Sequence, residues 1–168
     1  MPAYRRTTRE CSVSQLTPGL RKGFEDFFIE HKLGALAEEA LQCCETLSER
    51  DTPGMLDSLP TGNPDSTDYL GLILTEQWLL WGRSGDRSGT KIFGAEFKYL
   101  KVKRYKSRLS DETGLHIDAD LPDFKGRVEG NLALGPEEAA RKFCEEAVKA
   151  VEKAKPPKKG RKIPWLPF

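Results

Sequence analysis

The sequence predicts a mainly β protein with helices at both ends: a bent antiparallel β-barrel of about seven strands, capped by a C-terminal α-helix and preceded by an N-terminal helix. Between residues 41 and 134, short apolar segments bounded by turn-forming residues follow one another, as strands joined by turns do. No helical pattern separates them, which favours antiparallel pairing. On both sides of this region apolar residues recur at helical spacing. A helix that closes one end of a barrel fits this order.

Length and composition limit the classes of function. The 168 residues suit one domain with additional terminal segments. The formal net charge is only +1, so attraction to nucleic acid or to acidic lipid must come from local patches. No apolar run is long enough to span a bilayer, and the first residues lack the apolar core of a secretory signal. We therefore expect a cytoplasmic protein, with a location at a membrane surface as the alternative.

The N-terminal helix is predicted to begin at residues 17–19, because a polar residue followed by proline is a common helix start. Its apolar face consists of Leu20, Phe24, Phe27 and Phe28. We assign residues 1–18 to a flexible arm and residues 19–40 to an N-terminal helical extension.

Residues 35–49, ALAEEALQCCETLSE, fit two structures. Leu36, Ala40 and Cys44 recur as on one face of a helix, whereas Leu41, Cys43 and Leu47 lie on one face of a strand. We favour a strand over residues 41–48 and leave the helix open. Residues 51–66 are rich in proline, glycine and aspartate and are predicted to form a long loop.

Residues 72–81, LILTEQWLLW, are predicted to form a β-hairpin. Glycines flank the stretch and a polar break divides two apolar runs, so we place strands at 69–74 and 77–82. The alternative is one buried helix, for which ten residues with a polar centre are short. The loop 83–90 would close a second hairpin.

Further strands are predicted at residues 93–105, 114–121 and 128–134. In the first of them, the apolar residues occupy odd-numbered positions up to Tyr99 and even-numbered positions from Leu100, which indicates a bulge. The C-terminal helix is predicted at 136–154, because a proline suits its first turn and two acids follow. Its apolar stripe consists of Ala139, Ala140, Phe143, Ala147, Val148 and Val151.

The stretch LILTEQWLLW resembles the hairpin of bacterial PH-like domains, the pleckstrin homology and GRAM-like family. Residues 91–104 resemble the strand that follows this hairpin, and residues 114–151, with LGPEEAARKF at 134–143, resemble the last strands and the C-terminal helix. The resemblance covers residues 41–154. It implies a seven-stranded bent barrel as one domain over residues 41–155, and a non-catalytic binding module for lipid headgroups or protein partners.

Residues 98–108, KYLKVKRYKSR, carry six basic residues and no acid. Lys101, Lys103 and Tyr105 share one face of the predicted strand, where the cations could bind phosphates and the ring could stack on a ligand. The alternative is a solvated outer face or a charged edge that prevents aggregation.

The loop 82–91, GRSGDRSGTK, combines backbone amides with Arg83, Arg87 and Lys91, and could hold an anion such as a lipid headgroup. It lacks P-loop spacing, which argues against nucleotide binding. A plain hairpin loop is the alternative.

Residues 156–168 form a basic and aromatic tail. Its candidate binding residues are Lys158, Lys159, Arg161, Lys162, Trp165 and Phe168. Cations followed by aromatic residues suit packing on the chain's own domain, docking on a partner, or an anionic membrane surface. Nucleic acid is the least favoured ligand.

No catalytic, metal or cofactor site is predicted. The four cysteines contain no C-x-x-C pair and only two histidines are present, so we expect buried reduced thiols. Asp118 and Asp120 would lie about 7 Å apart on one strand face, but outward polar positions explain them better than a catalytic pair. We therefore predict a non-enzymatic binding module, a protein–protein adaptor. The alternative is peripheral binding to anionic lipid through residues 98–108 and the tail.

Overall fold

The computed structural model describes residues 4–50, 65–108, 112–122 and 126–154. Within these ranges the chain forms eight strands and three α-helices. The strands are β1 Tyr4–Glu10, β2 Gln42–Arg50, β3 Thr67–Leu74, β4 Trp78–Gly85, β5 Gly89–Glu96, β6 Leu100–Lys106, β7 Thr113–Asp120 and β8 Arg127–Leu134. The helices are α1 Pro18–Glu30, α2 Leu36–Glu39 and α3 Glu138–Ala154.

The strands form two antiparallel sheets. Strands β1 to β5 make the large sheet in sequence order, and β6 to β8 make the small sheet. Helix α1 packs on one face of the large sheet, against β4 and β5, while the small sheet and α3 cover the other face. The mainly β class and the C-terminal helix are therefore confirmed. The closed barrel is not observed, since the two sheets share no ladder of backbone hydrogen bonds among the described residues.

The chain passes from the large sheet to the small sheet through one turn of 3-10 helix at Phe97–Tyr99. The backbone N–H of Phe97 donates to the carbonyl of Gln77 at 2.8 Å, which fixes the exit from β5. The strand predicted at 93–105 is therefore two strands, β5 and β6. The shift of the apolar residues from odd to even positions at Tyr99 and Leu100 does mark an interruption of the strand. The cause of the interruption is the passage of the chain from one sheet to the other, not a bulge. This change of sheet produces layers in place of a barrel.

The centre of the large sheet is buried on both faces. Leu72 and Leu79 face the small sheet and α3, Ile73 and Leu80 face α1, and all four are fully buried. Such strands have no polar face, so their apolar residues are consecutive and do not alternate. The predicted hairpin is confirmed, because β3 and β4 pair directly along residues 68–85.

The polar break inside the hairpin forms its turn. The Oγ1 of Thr75 accepts hydrogen bonds from the backbone N–H groups of Gln77, at 3.2 Å, and Trp78, at 2.9 Å. These contacts exclude the alternative of one continuous helix. The second hairpin is also present, but its loop has only the residues 86–88, because β4 extends to Gly85 and β5 begins at Gly89.

Residues 4–10 differ from the predicted arm. They form β1, which pairs along its whole length with β2, from Tyr4 opposite Arg50 to Glu10 opposite Cys44. An edge strand of this kind exposes charged side chains, so the sequence shows no apolar pattern there. The predicted N-terminal helix is confirmed as α1. The ambiguous segment 35–49 contains both the short helix α2 and the favoured strand, β2.

Helix α3 confirms the C-terminal prediction and is connected to β1 at its start. The carboxylate of Glu137 accepts a hydrogen bond from the backbone N–H of Thr8 at 2.9 Å. The Thr8 hydroxyl accepts one from the N–H of Gly135 at 2.8 Å and lies 2.7 Å from the hydroxyl of Thr46. These contacts join α3 to the large sheet. No helix in the described ranges is long and apolar enough to cross a membrane.

Candidate functional site

Strand β6 presents its predicted binding residues on one side. Leu100 and Val102 pack into the core between the sheets, whereas Lys101 and Lys103 alternate with them and are exposed. The two lysines therefore lie near each other on the solvent-facing side of the small sheet.

Neighbouring strands place acids beside these lysines. Lys101 lies opposite Asp118, which lies opposite Glu129 on the third strand. In the next row Lys103 lies opposite His116, which lies opposite Asn131. The "outer face" is defined as Lys101, Lys103, His116, Asp118, Arg127, Glu129 and Asn131. Its charges are of both signs.

Contacts between β7 and β8 hold the outer face in one arrangement. Arg127 Nη2 lies 2.7 Å from Asp118 Oδ2. The ring nitrogens of His116 lie 2.6 Å from Asn131 Oδ1 and 3.0 Å from Glu129 Oε1. The hydrogen bond from Arg127 holds the pKa of Asp118 below its usual range. A carboxylate with a lowered pKa is a poor general acid, so this geometry does not support the pairing of Asp118 with Asp120 in catalysis.

Two further cations of the basic segment have acids beside them. Lys98 Nζ lies 3.2 Å from Glu96 Oε2, and Arg104 Nη1 lies 3.6 Å from Glu145 Oε1 on α3. Residues 98–108 contain no acid themselves, but acids from other parts of the chain therefore partly neutralise their positive charge.

Tyr105 does not offer its ring as an open platform. It is half-buried, and its hydroxyl donates to Glu112 Oε1 at 2.6 Å. Burial, followed by the contact with Glu112, raises the pKa of Tyr105 well above its usual value. The other carboxylate oxygen of Glu112 lies 3.4 Å from Arg6 Nη1. Tyr105 therefore belongs to a network that joins β6 to β1.

Arg6 and Glu112 line a cleft of about 190 Å³ between the two sheets. The other lining residues are Ser48, Asp68, Leu70, Arg83, Asn131, Leu132 and Ala133. Burial raises the pKa of the Asp68 carboxyl, although the charge of Arg83 opposes this shift. Asp68 is not among the residues that the sequence predicted for a site. Its spacing could have indicated burial. Asp68 lies two residues before Leu70 and four before Leu72, so the three side chains share one face of β3.

The loop between β4 and β5 does collect backbone amides, but they bind a carboxylate of the same chain. Asp65 Oδ1 accepts hydrogen bonds from the N–H groups of Arg87, at 2.6 Å, and Ser88, at 2.9 Å. Burial opposes ionisation of Asp65, but the hydrogen bonds from Ser88 and Arg87 outweigh it and lower its pKa. The side chains of Arg87 and Lys91 are exposed, and Arg83 reaches into the cleft.

The ranges that the structure describes contain no group of three or more His, Cys, Asp or Glu side chains that could hold a metal ion. The tail 156–168, with all six of its candidate residues, lies outside the described residues, as does most of the predicted loop 51–66.

Comparison of the chain with models of protein families, with curated proteins and with solved structures gives no match. The class of protein is therefore defined by the architecture itself: a large antiparallel sheet with a helix on one face and a small antiparallel sheet with a second helix on the other.

Proposed function

We propose that this protein is a non-enzymatic binding module, an adaptor that recognises another protein through the outer face. The observation that supports the proposal is the fixed pattern of opposite charges on an exposed three-stranded sheet. The resemblance of residues 72–81 and 114–151 to PH-like domains adds to it, because such domains are binding modules, and a PH-like fold is part of the proposal.

The mixture of charges favours a protein over a membrane as the ligand. A protein surface can present both signs in a set pattern, so a complementary pattern selects the partner and sets its register. An anionic membrane attracts cations and repels acids. Asp118 and Glu129 lie in the same row as Lys101, so a flat approach to the membrane would bring acids to its surface together with the lysine.

The outer face is ordered before any partner binds. The ion pair of Arg127 with Asp118 and the contacts of His116 with Asn131 and Glu129 restrict five of its side chains. Side chains that are already restricted lose less entropy on binding, which favours affinity. Lys103 and Glu129 remain exposed and offer a cation and an anion to the partner.

The test is capture from the native lysate with the immobilised protein in three forms. The first is the wild type, and the second carries Lys101→Glu and Lys103→Glu. The third, a matched control, carries Arg21→Glu and Lys22→Glu on exposed positions of α1, beyond the large sheet. We expect the wild type and the control to retain the same partner, and the outer-face variant to lose it. Equal capture by all three forms would contradict the proposed interface.

Peripheral membrane binding is the second candidate. The observation that favours it is the exposure of Lys103 and Lys106 on β6, an edge strand of the small sheet. The basic tail, residues 156–168, adds further cations to the chain. Co-sedimentation with phosphatidylserine-rich vesicles tests it, using the wild type, the Lys101→Glu and Lys103→Glu variant, and a chain that ends at Lys155. Salt-sensitive binding that both changes weaken supports the membrane, whereas wild-type protein left in the supernatant removes this candidate.

A further inference from the structure

Cys11 and Cys43 form a close pair of thiols at the end of the pairing between β1 and β2. Their sulfur atoms lie 3.7 Å apart and both residues are buried. The backbone N–H of Cys11 donates to the carbonyl of Cys43 at 3.1 Å. Cys11 therefore lies directly opposite Cys43, one position beyond the pair of Glu10 with Cys44.

This position suits a disulfide. Bridged cysteines have Cα atoms about 4.4–6.8 Å apart, and directly opposite residues of antiparallel strands are about 4.5–5.5 Å apart. A disulfide bond is about 2.05 Å long, so each sulfur needs to move by roughly 0.8 Å from the observed separation. Rotation of the two side chains can supply this movement without a change of the strand register.

The two thiols differ in acidity. The hydrogen bond from Cys43 lowers the pKa of Cys11 against the effect of burial, and the charge of Arg9 lowers it further. The same hydrogen bond, together with burial, raises the pKa of Cys43. A more acidic thiol beside a less acidic one suits the roles of an attacking and a resolving cysteine.

The other two cysteines provide an internal comparison. Cys44 and Cys144 belong to the core between the large sheet, the small sheet and α3, on the opposite side of the large sheet from Cys43. Burial raises the pKa of both, to about 11 for Cys144. Their thiols are therefore poor nucleophiles at neutral pH.

We propose that Cys11 and Cys43 are a redox-active pair that forms a disulfide by exchange with a low-molecular-weight disulfide. The thiolate of Cys11 attacks one sulfur of the small disulfide, whose S–S bond breaks and releases one small thiolate. Cys43 then loses its proton to solvent and attacks the sulfur of Cys11, which releases the second small thiolate. The two cysteines are oxidised, and the small disulfide is reduced to two thiols.

The disulfide would join β1 covalently to β2 and enclose α1 in the loop of residues 11–43. Because a closed loop of this size restricts the unfolded chain, we expect Tm to rise by about 5–10 °C on oxidation. The edge strand β1 would lose its freedom to separate from β2 at this end.

The experiment exposes the folded protein to glutathione disulfide, alkylates the remaining thiols, and maps the cysteines by mass spectrometry. We expect the wild type to lose two of its four alkylatable thiols and to contain a Cys11–Cys43 link. In Cys43→Ser the reaction should stop at a stable glutathione adduct on Cys11. In Cys11→Ser neither the link nor the adduct should form at the rate seen in the wild type.

A double variant, Cys44→Ser with Cys144→Ser, retains the proposed pair and should react as the wild type does. If the single variants misfold, the double variant still tests the proposal. A higher Tm without dithiothreitol than with it would report the disulfide. A link that involves Cys44 or Cys144, or four alkylatable thiols after prolonged exposure of the folded protein, would overturn the proposal.

Discussion

Arg83 donates two hydrogen bonds to a single oxygen of Asp68. Its Nε lies 3.2 Å and its Nη2 lies 2.9 Å from Asp68 Oδ2. The side chain of Asp68 is 4 % exposed, whereas that of Arg83 is 59 % exposed. Asp68 therefore depends on this contact more than Arg83 does, because only the carboxylate is removed from water.

Arg83→Met should destabilise the protein by about 1–3 kcal/mol, because it leaves a buried carboxylate without its donor. Urea unfolding at neutral pH measures the loss of free energy of unfolding. Arg87→Met is the matched control, because the Arg87 side chain is exposed in a loop and its backbone N–H is retained. A loss of the same size in both variants would show that the contact with Asp68 does not cause the effect.

The stability difference between Asp68→Asn and the wild type should depend on pH. The folded protein raises the pKa of Asp68, so the ionised form costs stability in the folded state. This cost is absent below the unfolded pKa of about 3.9 and increases as the pH rises through the raised folded pKa. Asp68→Asn removes the cost, so its stability relative to the wild type should improve from acidic to neutral pH. Denaturant titrations across this range measure the trend, which a constant difference would refute.

Asp65→Ala should show the opposite trend. The folded protein lowers the pKa of Asp65, so the ionised carboxylate contributes stability above its unfolded pKa and loses it as the pH falls through the folded pKa. At neutral pH we expect a loss of about 1–3 kcal/mol, because the N–H groups of Arg87 and Ser88 lose their acceptor. The loss should shrink in acid. Asp26→Ala is the control, and at neutral pH it should change stability by less than Asp65→Ala, because the pair of Asp26 with Lys22 is exposed.

Thr8→Val should weaken the connection between β1 and α3. Valine keeps the shape of the side chain but removes the oxygen that accepts from Gly135 and contacts Thr46. We expect a loss of about 1–2 kcal/mol in the free energy of unfolding. Thr7→Val, on the exposed face of the same strand, is the control and should be close to neutral. Thermal unfolding of the two variants side by side measures the difference, and equal Tm values would contradict the role given to Thr8.

The sequence predicted elements well where a local signal was strong. Glycines and a polar break define the hairpin at 72–81, and helical spacing defines α1 and α3. Strand β1 was missed because its signal is not local. Arg5, Thr7 and Arg9 face solvent at an edge, and the pairing with β2 depends on a segment more than thirty residues away.

The candidate sites show the same limit. The alternation of Lys101 and Lys103 is readable from β6 alone, so the sequence predicted that they share one face of the strand. The acids beside them come from β7 and β8 and depend on the register of the sheet, which the sequence does not display. The cleft was missed for a related reason, since Asp68 and Arg83 lie on different strands and face each other only after those strands pair.

The order of elements along the chain decides when each face of the large sheet becomes covered during synthesis. Helix α1 precedes β3 and β4, so one side of this hairpin can be buried as soon as β4 leaves the ribosome. The small sheet and α3 are made after the large sheet. Until then Leu72, Leu79 and Trp81 have no cover on their side, so the nascent chain presents an apolar surface of the kind that chaperones bind.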